Sequence, residues 1–379
     1  MTLARSLALA ALFAFAGAGG GHLAAAESGQ AAASPPKPLH DDERILSPDD
    51  RTATLARSLI WRTPKVPIAQ ADIATESKPL AELSCKFKLT ALGGTTPKFD
   101  CDLESGEEIR VKYGNGPEIP AEAASTRLLK ALGFAADDIV IVEKLRCFGC
   151  PKEPFSTMKA VEVTRAEPLY KHLIDYDDYE EFKWVAVERK FRARPIESEG
   201  VEGWAFHELS QVDPKKGGAP RAHLDAIRMI AIFLSHWDNK SENQRIVCLD
   251  DTWQDKTPCA EPLLMLQDVG ATFGPSKVDL PEWEQATMWE DRTTCRVSMR
   301  ELPYSGATFV DAQITEEGRQ FFGAMISQLS DRQLTDLFTG ARFAEKRGLF
   351  QSPRPVSEWV RVFRAKVKTI TDGPACPSA

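Results

Sequence analysis

Eight cysteines sit in this chain of 379 residues, all of them beyond an N-terminal leader with the layout of an export signal. In an oxidising compartment cysteines become covalent cross-links, whereas the cytosol leaves them as thiols, metal ligands or catalysts. The leader therefore decides how they are read. Arg5 precedes the apolar run 7–15, a glycine-rich stretch 17–21 follows, and Ala24-Ala25-Ala26 offers the small residues of a signal-peptidase site. Residues 1–26 are expected to form a signal peptide cleaved after Ala26, since the apolar run is too short to span a bilayer. No later stretch reaches the roughly 18 apolar residues a span requires, so no stable membrane span is expected and the protein should be periplasmic or secreted. A composition 43% hydrophobic and 27% charged excludes a disordered or fibrous chain. A net charge of −8 with scattered Lys and Arg excludes a nucleic-acid partner, which needs concentrated cations.

Cys85 and Cys101 lie symmetrically about Gly93 in what reads as a hairpin, and Cys248 and Cys259 flank a short polar excursion that reads as another, so each pair is a candidate bridge. Cys147-Phe148-Gly149-Cys150 is open to two readings, a disulfide or a redox pair. Redox chemistry wants the first cysteine at a helix N-terminus that lowers its pKa, and Pro151 and Pro154 oppose such a helix. Pro151 also stands where a c-type haem site needs His, and no second Cys-x-x-Cys completes a zinc knuckle. A structural disulfide is the favoured reading; the full connectivity stays open.

Residues 27–78 read as a linker and N-terminal extension, solvated at first, with a short helix over 55–61 and then Pro64, Pro67 and Pro79. From Cys85 the pattern alternates, with Cys85, Phe87, Leu89 and Ala91 on one face. Gly93-Gly94-Thr95-Thr96 turns the chain, 99–103 runs back, and Ile109, Val111 and Tyr113 form the next face: a three-stranded antiparallel meander with a glycine-rich tip. A helix is expected over 122–132, ended by Gly133, with further strands over 139–142 and 184–191. Beyond about residue 200 the chain turns helical, with helices expected over 223–237, 320–329, 331–339 and 357–370.

The segment most charged with chemistry follows the helix 223–237 and reads His236-Trp237-Asp238-Asn239-Lys240-Ser241-Glu242-Asn243. Its His-x-Asp-x4-Asn spacing is that of a loop in which Asp orients a substrate hydroxyl and Asn holds a metal ion; the plain alternative is a polar turn. Thirty residues beyond Asp238, an apolar run ends in Gln267-Asp268-Val269-Gly270, an aspartate and glycine at the end of a buried strand. Upstream, Lys112 lies on the third strand of the meander and Glu122 opens the next helix ten residues later. A cation for nucleotide phosphates and a carboxylate to position it is what phosphoryl transfer requires. A solvated strand Lys and a helix N-terminal Glu are the plain alternatives. Glu118, the rival carboxylate, is expected to precede the helix because Pro120 follows it.

In that order, these elements resemble the protein-kinase-like superfamily over roughly 84–275. Gly94, Thr95, Thr96, Pro97, Lys98 and Phe99 look like the phosphate loop of HipA-like kinases, and the Asp-x4-Asn spacing is shared with phosphatidylinositol 3/4-kinase-like proteins. The resemblance implies an α+β, two-lobed protein-kinase-like fold: an antiparallel β-rich N-lobe with one key helix over 79–195 and a mainly α-helical C-lobe over 196–373. It implies ATP and Mg²⁺ or Mn²⁺ as cofactors, with Gly94, Thr95, Thr96, Lys98 and Lys112 on the phosphates and Glu122 pairing Lys112. It makes Asp238 and Lys240 catalytic, Asp238 orienting the acceptor and Lys240 touching the transferred phosphate, and Asn243 and Asp268 the metal ligands. The chain departs from the family in lacking Gly-x-Gly-x-x-Gly and Ala-Pro-Glu segments and in carrying Val269 where Phe is usual; Gly274, Lys277 and Trp283 are expected to form a short lid instead. The function so implied is an exported phosphotransferase moving the ATP γ-phosphate to a hydroxyl of a protein or small molecule. The alternative is a catalytically silent kinase-like binding module in the cell envelope, favoured by the scarcity of ATP outside the cytoplasm.

Overall fold

Alternating apolar strands with glycine turns between them curl into a barrel when both sheet edges find each other, and that is the outcome here. The structure is a computed structural model that describes residues 44–73, 80–250, 259–303, 306–345 and 353–377. The expected signal peptide 1–26 and the adjoining 27–43 lie outside the described residues. Strand β1 (Arg44–Leu46) and helix α1 (Pro48–Arg57) come first, α1 capped by the Ser47 side chain, which accepts from the Asp50 N–H. The expected short helix thus lies earlier than 55–61. Part of the stretch read as linker is packed: Arg51 of α1 is buried, bonded to both Glu208 carboxylate oxygens at 3.1 and 2.6 Å.

Strands β2 (Leu80–Lys88), β3 (Lys98–Asp102) and β4 (Glu108–Lys112) form the expected antiparallel meander. With β5 (Asp138–Phe148) and β6 (Tyr179–Arg189) they close a barrel in the order β2-β3-β4-β6-β5. The closing pair β2–β5 is parallel, with Cys85 opposite Cys147, so this region is not wholly antiparallel. Closure leaves neither strand an open edge. Phe87, Phe99, Val111, Leu145 and Val187 fill the barrel as an apolar cluster of its own.

Helix α2 (Glu118–Ala131) crosses from β4 towards β5. It begins four residues earlier than expected, and Glu118 belongs to it. Pro120 sits in the first turn, where a missing N–H costs nothing because no intrahelical acceptor precedes it. A second sheet, in the order β1-β7-β8-β9, adds β7 (Arg194–Ser198), β8 (Gln244–Cys248) and β9 (Pro262–Leu266). The β8–β9 hairpin is bridged by Cys248–Cys259. Among the described residues, the remaining α-helices of six or more residues are α3 (Pro154–Thr164), α4 (Arg221–Leu234), α5 (Leu280–Gln285), α6 (Glu316–Ile326), α7 (Asp331–Gly340) and α8 (Val356–Thr371). Helix α4 stops at Leu234, three residues short of the expected end, because Ser235 turns left-handed at φ 54° and releases the chain into a loop.

The larger apolar cluster runs through α2, α4 and the C-terminal helices. Trp283, expected in a lid, is fully buried in it: its ring meets Phe273 edge-on at 5.1 Å and its indole N–H donates to the Phe233 carbonyl at 2.7 Å. It is a core residue. All eight cysteines are paired, as Cys85–Cys101, Cys147–Cys150, Cys248–Cys259 and Cys295–Cys376, which fits an oxidising environment. No helix among the described residues is long and apolar enough to cross a membrane.

Candidate functional site

Lys112 ends β4 with its side chain turned inward, 4% exposed, onto α2. Its Nζ donates to both Glu122 carboxylate oxygens, at 2.6 and 2.7 Å. Two further carboxylates face the same ammonium, Glu188 of β6 at 3.6 Å and Asp268 at 4.0 Å. Burial alone would depress the Lys112 pKa, but Asp268, Glu122 and Glu188 together outweigh it and hold the ammonium well above its ordinary value. Burial pushes Glu122 up to about 8, opposed by Lys112 and reinforced by the neighbouring carboxylates. Asp268 moves the other way: Lys112 keeps its carboxyl below the usual range, with Lys98 adding to the effect. Asp268 is therefore ionised at neutral pH, and its side chain, 42% exposed, is the one carboxylate of the three open to a ligand.

The loop after α4 is fastened to this cluster through its backbone. The Asn243 carbonyl accepts from the N–H groups of Gln267 and Asp268 at 3.1 and 3.2 Å, so Asn243 and Asp268 are held side by side. The Asn243 side-chain amide donates to the Asp238 carbonyl at 2.6 Å, which turns its Oδ1 the other way. Lys240 Nζ lies 3.1 Å from Asp238 Oδ1, an ion contact without hydrogen-bond geometry. His236 lies beneath the loop, fully buried, with burial lowering its pKa to about 4, so it is a neutral packing residue.

Helix α2 is locked to the segment following Asp268 at three places. Ser125 Oγ donates to Thr272 Oγ1 at 2.8 Å, and Thr272 in turn donates to the Val269 carbonyl at 2.9 Å. Lys277 pairs with Glu118 at 2.6 Å. Gly270 approaches so closely that a Cβ there would fall 2.4 Å from Glu118 Cγ. Lys277, expected in a lid, thus ties two elements together.

Of the residues singled out in sequence, Lys112, Glu122, Asp238, Lys240, Asn243 and Asp268 are brought together. Lys98 joins them from the start of β3, where it sits opposite Lys112; burial and then the Lys112 charge lower its pKa. Gly94 takes φ 69° on the loop before it, and a Cβ there would meet Lys98 Nζ at 3.2 Å. Thr95 and Thr96 stay on that loop, exposed and half-buried, with no hydrogen bond to a described residue.

Three participants escaped sequence reading. Glu118 was placed outside the helix. Glu188 lies in an ordinary strand and reaches Lys112 only because β6 pairs with β4. Asn239, given no role of its own by the sequence, is fully buried: its Oδ1 accepts from the N–H groups of Thr308 and Phe309, both at 2.8 Å, and its Nδ2 donates to the His236 carbonyl at 2.8 Å. It pins the 306–309 segment to the loop, and Gly306 there lies against the Lys240 chain.

No protein-family model matches the chain, and no curated protein matches it. Among solved structures it is similar to the Helicobacter pylori proinflammatory kinase CtkA, at 10% sequence identity and a TM-score of 0.41, over 77% of this chain and 94% of that one.

Proposed function

We propose that the chain is an exported, kinase-like phosphotransferase in which the β2–β6 barrel with α2 acts as the N-lobe and the helical remainder as the C-lobe, moving the ATP γ-phosphate to a hydroxyl of a protein or small molecule. The observation that carries this reading is the buried Lys112–Glu122 pair at 2.6 Å set beside an ionised, solvent-open Asp268. A fixed cation and an open carboxylate on opposed elements match the two demands of phosphoryl transfer, phosphate neutralisation and metal anchorage. The residues fit a hard divalent cation, which takes oxygen donors: Asp268 is ionised, and Asn243 Oδ1 is directed away from Asp238 by the bond its amide donates. Bound there, Mg²⁺ would screen charge on the phosphates. In this reading Lys112 and Lys98 hold phosphate oxygens, Glu122 keeps Lys112 extended, Asp238 orients the acceptor hydroxyl, and Lys240 meets the group in transfer.

The test is nucleotide binding and turnover by the disulfide-formed protein. Mg²⁺-dependent ATP binding is expected in the wild type and at least tenfold loss in Asp268→Ala. Asp238→Asn is expected to bind ATP normally and to lose turnover by two orders of magnitude or more, since only acceptor orientation is removed. Full turnover in Asp238→Asn would refute its assignment, and metal-independent binding would refute that of Asp268.

A further inference from the structure

Seven of the eight cysteines are buried at 5% exposure or less, and Cys150 alone is half-buried. It is bonded to Cys147, which is fully buried in the barrel. Cys147 Sγ lies 3.9 Å from Cys101 Sγ, a member of a different bridge, and the sulfurs of Cys85, Cys101 and Cys147 all fall within 4.8 Å of one another. The strand register explains the crowding: Cys85 stands opposite Cys147 across β2–β5, and Cys101 is opposite Phe87 across β2–β3. Two disulfides therefore share one pocket of the barrel, and Cys150 is the one of their four cysteines that is not fully buried.

We propose that Cys150, Cys147, Cys101 and Cys85 form a thiol–disulfide relay that accepts electrons from an external dithiol at Cys150 and moves the protein's cross-link to Cys101–Cys147. An incoming thiolate attacks Cys150 Sγ; the new bond forms there, the Cys147–Cys150 bond breaks, and Cys147 leaves as a thiolate. Released from its bridge, the Cys147 side chain rotates and attacks Cys101 Sγ, forming Cys101–Cys147 and expelling Cys85, which takes up a proton. The gap to be closed is roughly 2 Å beyond a bonded sulfur pair. The second thiol of the same dithiol then attacks its own sulfur in the mixed disulfide and releases Cys150, which also takes up a proton. Overall the dithiol is oxidised to a disulfide, two electrons and two protons pass to the protein, and two bridges become one.

The relocation matters because of where each bridge lies. Cys85–Cys101 ties β2 to β3, the hairpin that holds the 89–97 loop. Cys101–Cys147 instead ties β3 to β5 across β2, and leaves that hairpin joined by three register pairs alone. The relay stands on sulfur geometry and is independent of phosphotransfer.

The test is stepwise reduction of the whole oxidised protein with one equivalent of dithiothreitol, quenching in acid, alkylation in denaturant and peptide mapping. The expected product has a Cys101–Cys147 linked peptide, label on Cys85 and Cys150, and intact Cys248–Cys259 and Cys295–Cys376. Label on Cys147 and Cys150 with Cys85–Cys101 intact would overturn the relay, as would first opening of either distant bridge. A Cys150→Ser variant, checked for folding by its unfolding transition, should distribute its single free thiol between Cys147 and Cys85 without any reductant; label on Cys147 alone overturns the relay by the same logic.

Discussion

Asp137 shows how one side chain can carry a pH dependence for the molecule. It precedes β5, and its Oδ1 accepts the Phe191 N–H at 2.8 Å while its Oδ2 is buried without a partner among the described residues. Burial, with the nearby Glu188 charge, raises its pKa to about 7. The native state therefore binds a proton there that the unfolded chain gives up near pH 4. Stability contributed by that proton is complete below about pH 4 and is lost as pH rises to about 7, at a slope of up to about 1.4 kcal/mol per pH unit. Asp137→Asn keeps the acceptor and mimics the neutral acid. Relative to wild type it should gain roughly 1 kcal/mol per pH unit between pH 5 and 7, read from urea midpoints across that range; a constant difference would place the native Asp137 pKa near its ordinary value.

At the scale of elements, the decisive contacts join α2 to the segment after Asp268. Ser125 and Thr272 are both fully buried and satisfy each other. Removing the Thr272 hydroxyl strands that of Ser125, at about 1–3 kcal/mol, whereas Ser125→Ala leaves Thr272 bonded to the Val269 carbonyl and costs less; with Thr272 already gone, the Ser125 hydroxyl has no partner left to lose. Ser125→Ala and Thr272→Val should each destabilise, and the double variant should destabilise less than their sum, with a coupling of about 1 kcal/mol or more in a double-mutant cycle. Simple additivity would mean that the two hydroxyls act separately. This pair also marks where sequence reading stops. Lys112, Glu122, Asp238, Asn243 and Asp268 could be singled out because their spacing is local and each abuts a recognisable turn, strand end or helix start. The meander was legible for the same reason, through alternation and glycine turns. Ser125, Thr272 and Glu188 carry no such mark, since their roles arise from contacts between positions as far as 147 residues apart. The start of α2 was misplaced because proline was read as a barrier, although a first turn accepts it.

Across the whole molecule, the four bridges close loops of very different size, and that difference predicts their weights. Cys295–Cys376 spans 81 residues and Cys147–Cys150 spans 3. The entropy that a bridge removes from the unfolded chain grows with the logarithm of the loop, giving about 4–5 kcal/mol for the first and about 1.5 for the second. The long bridge also fixes the chain end to the helical core. Next to Cys376, whose N–H donates to Glu316 at 2.8 Å, Arg319 binds the carbonyls of Ile370 and Thr371 at 2.7 and 3.2 Å. Cys295→Ala with Cys376→Ala should therefore lower stability by about 3 kcal/mol more than Cys147→Ala with Cys150→Ala, each double variant compared with wild type by denaturant unfolding under non-reducing conditions. Equal losses would show that packing around the sulfurs, rather than loop closure, sets what these cross-links contribute. A larger loss from the short pair would locate the main stability of the chain in the barrel, whose cluster holds both Cys147 and Cys101.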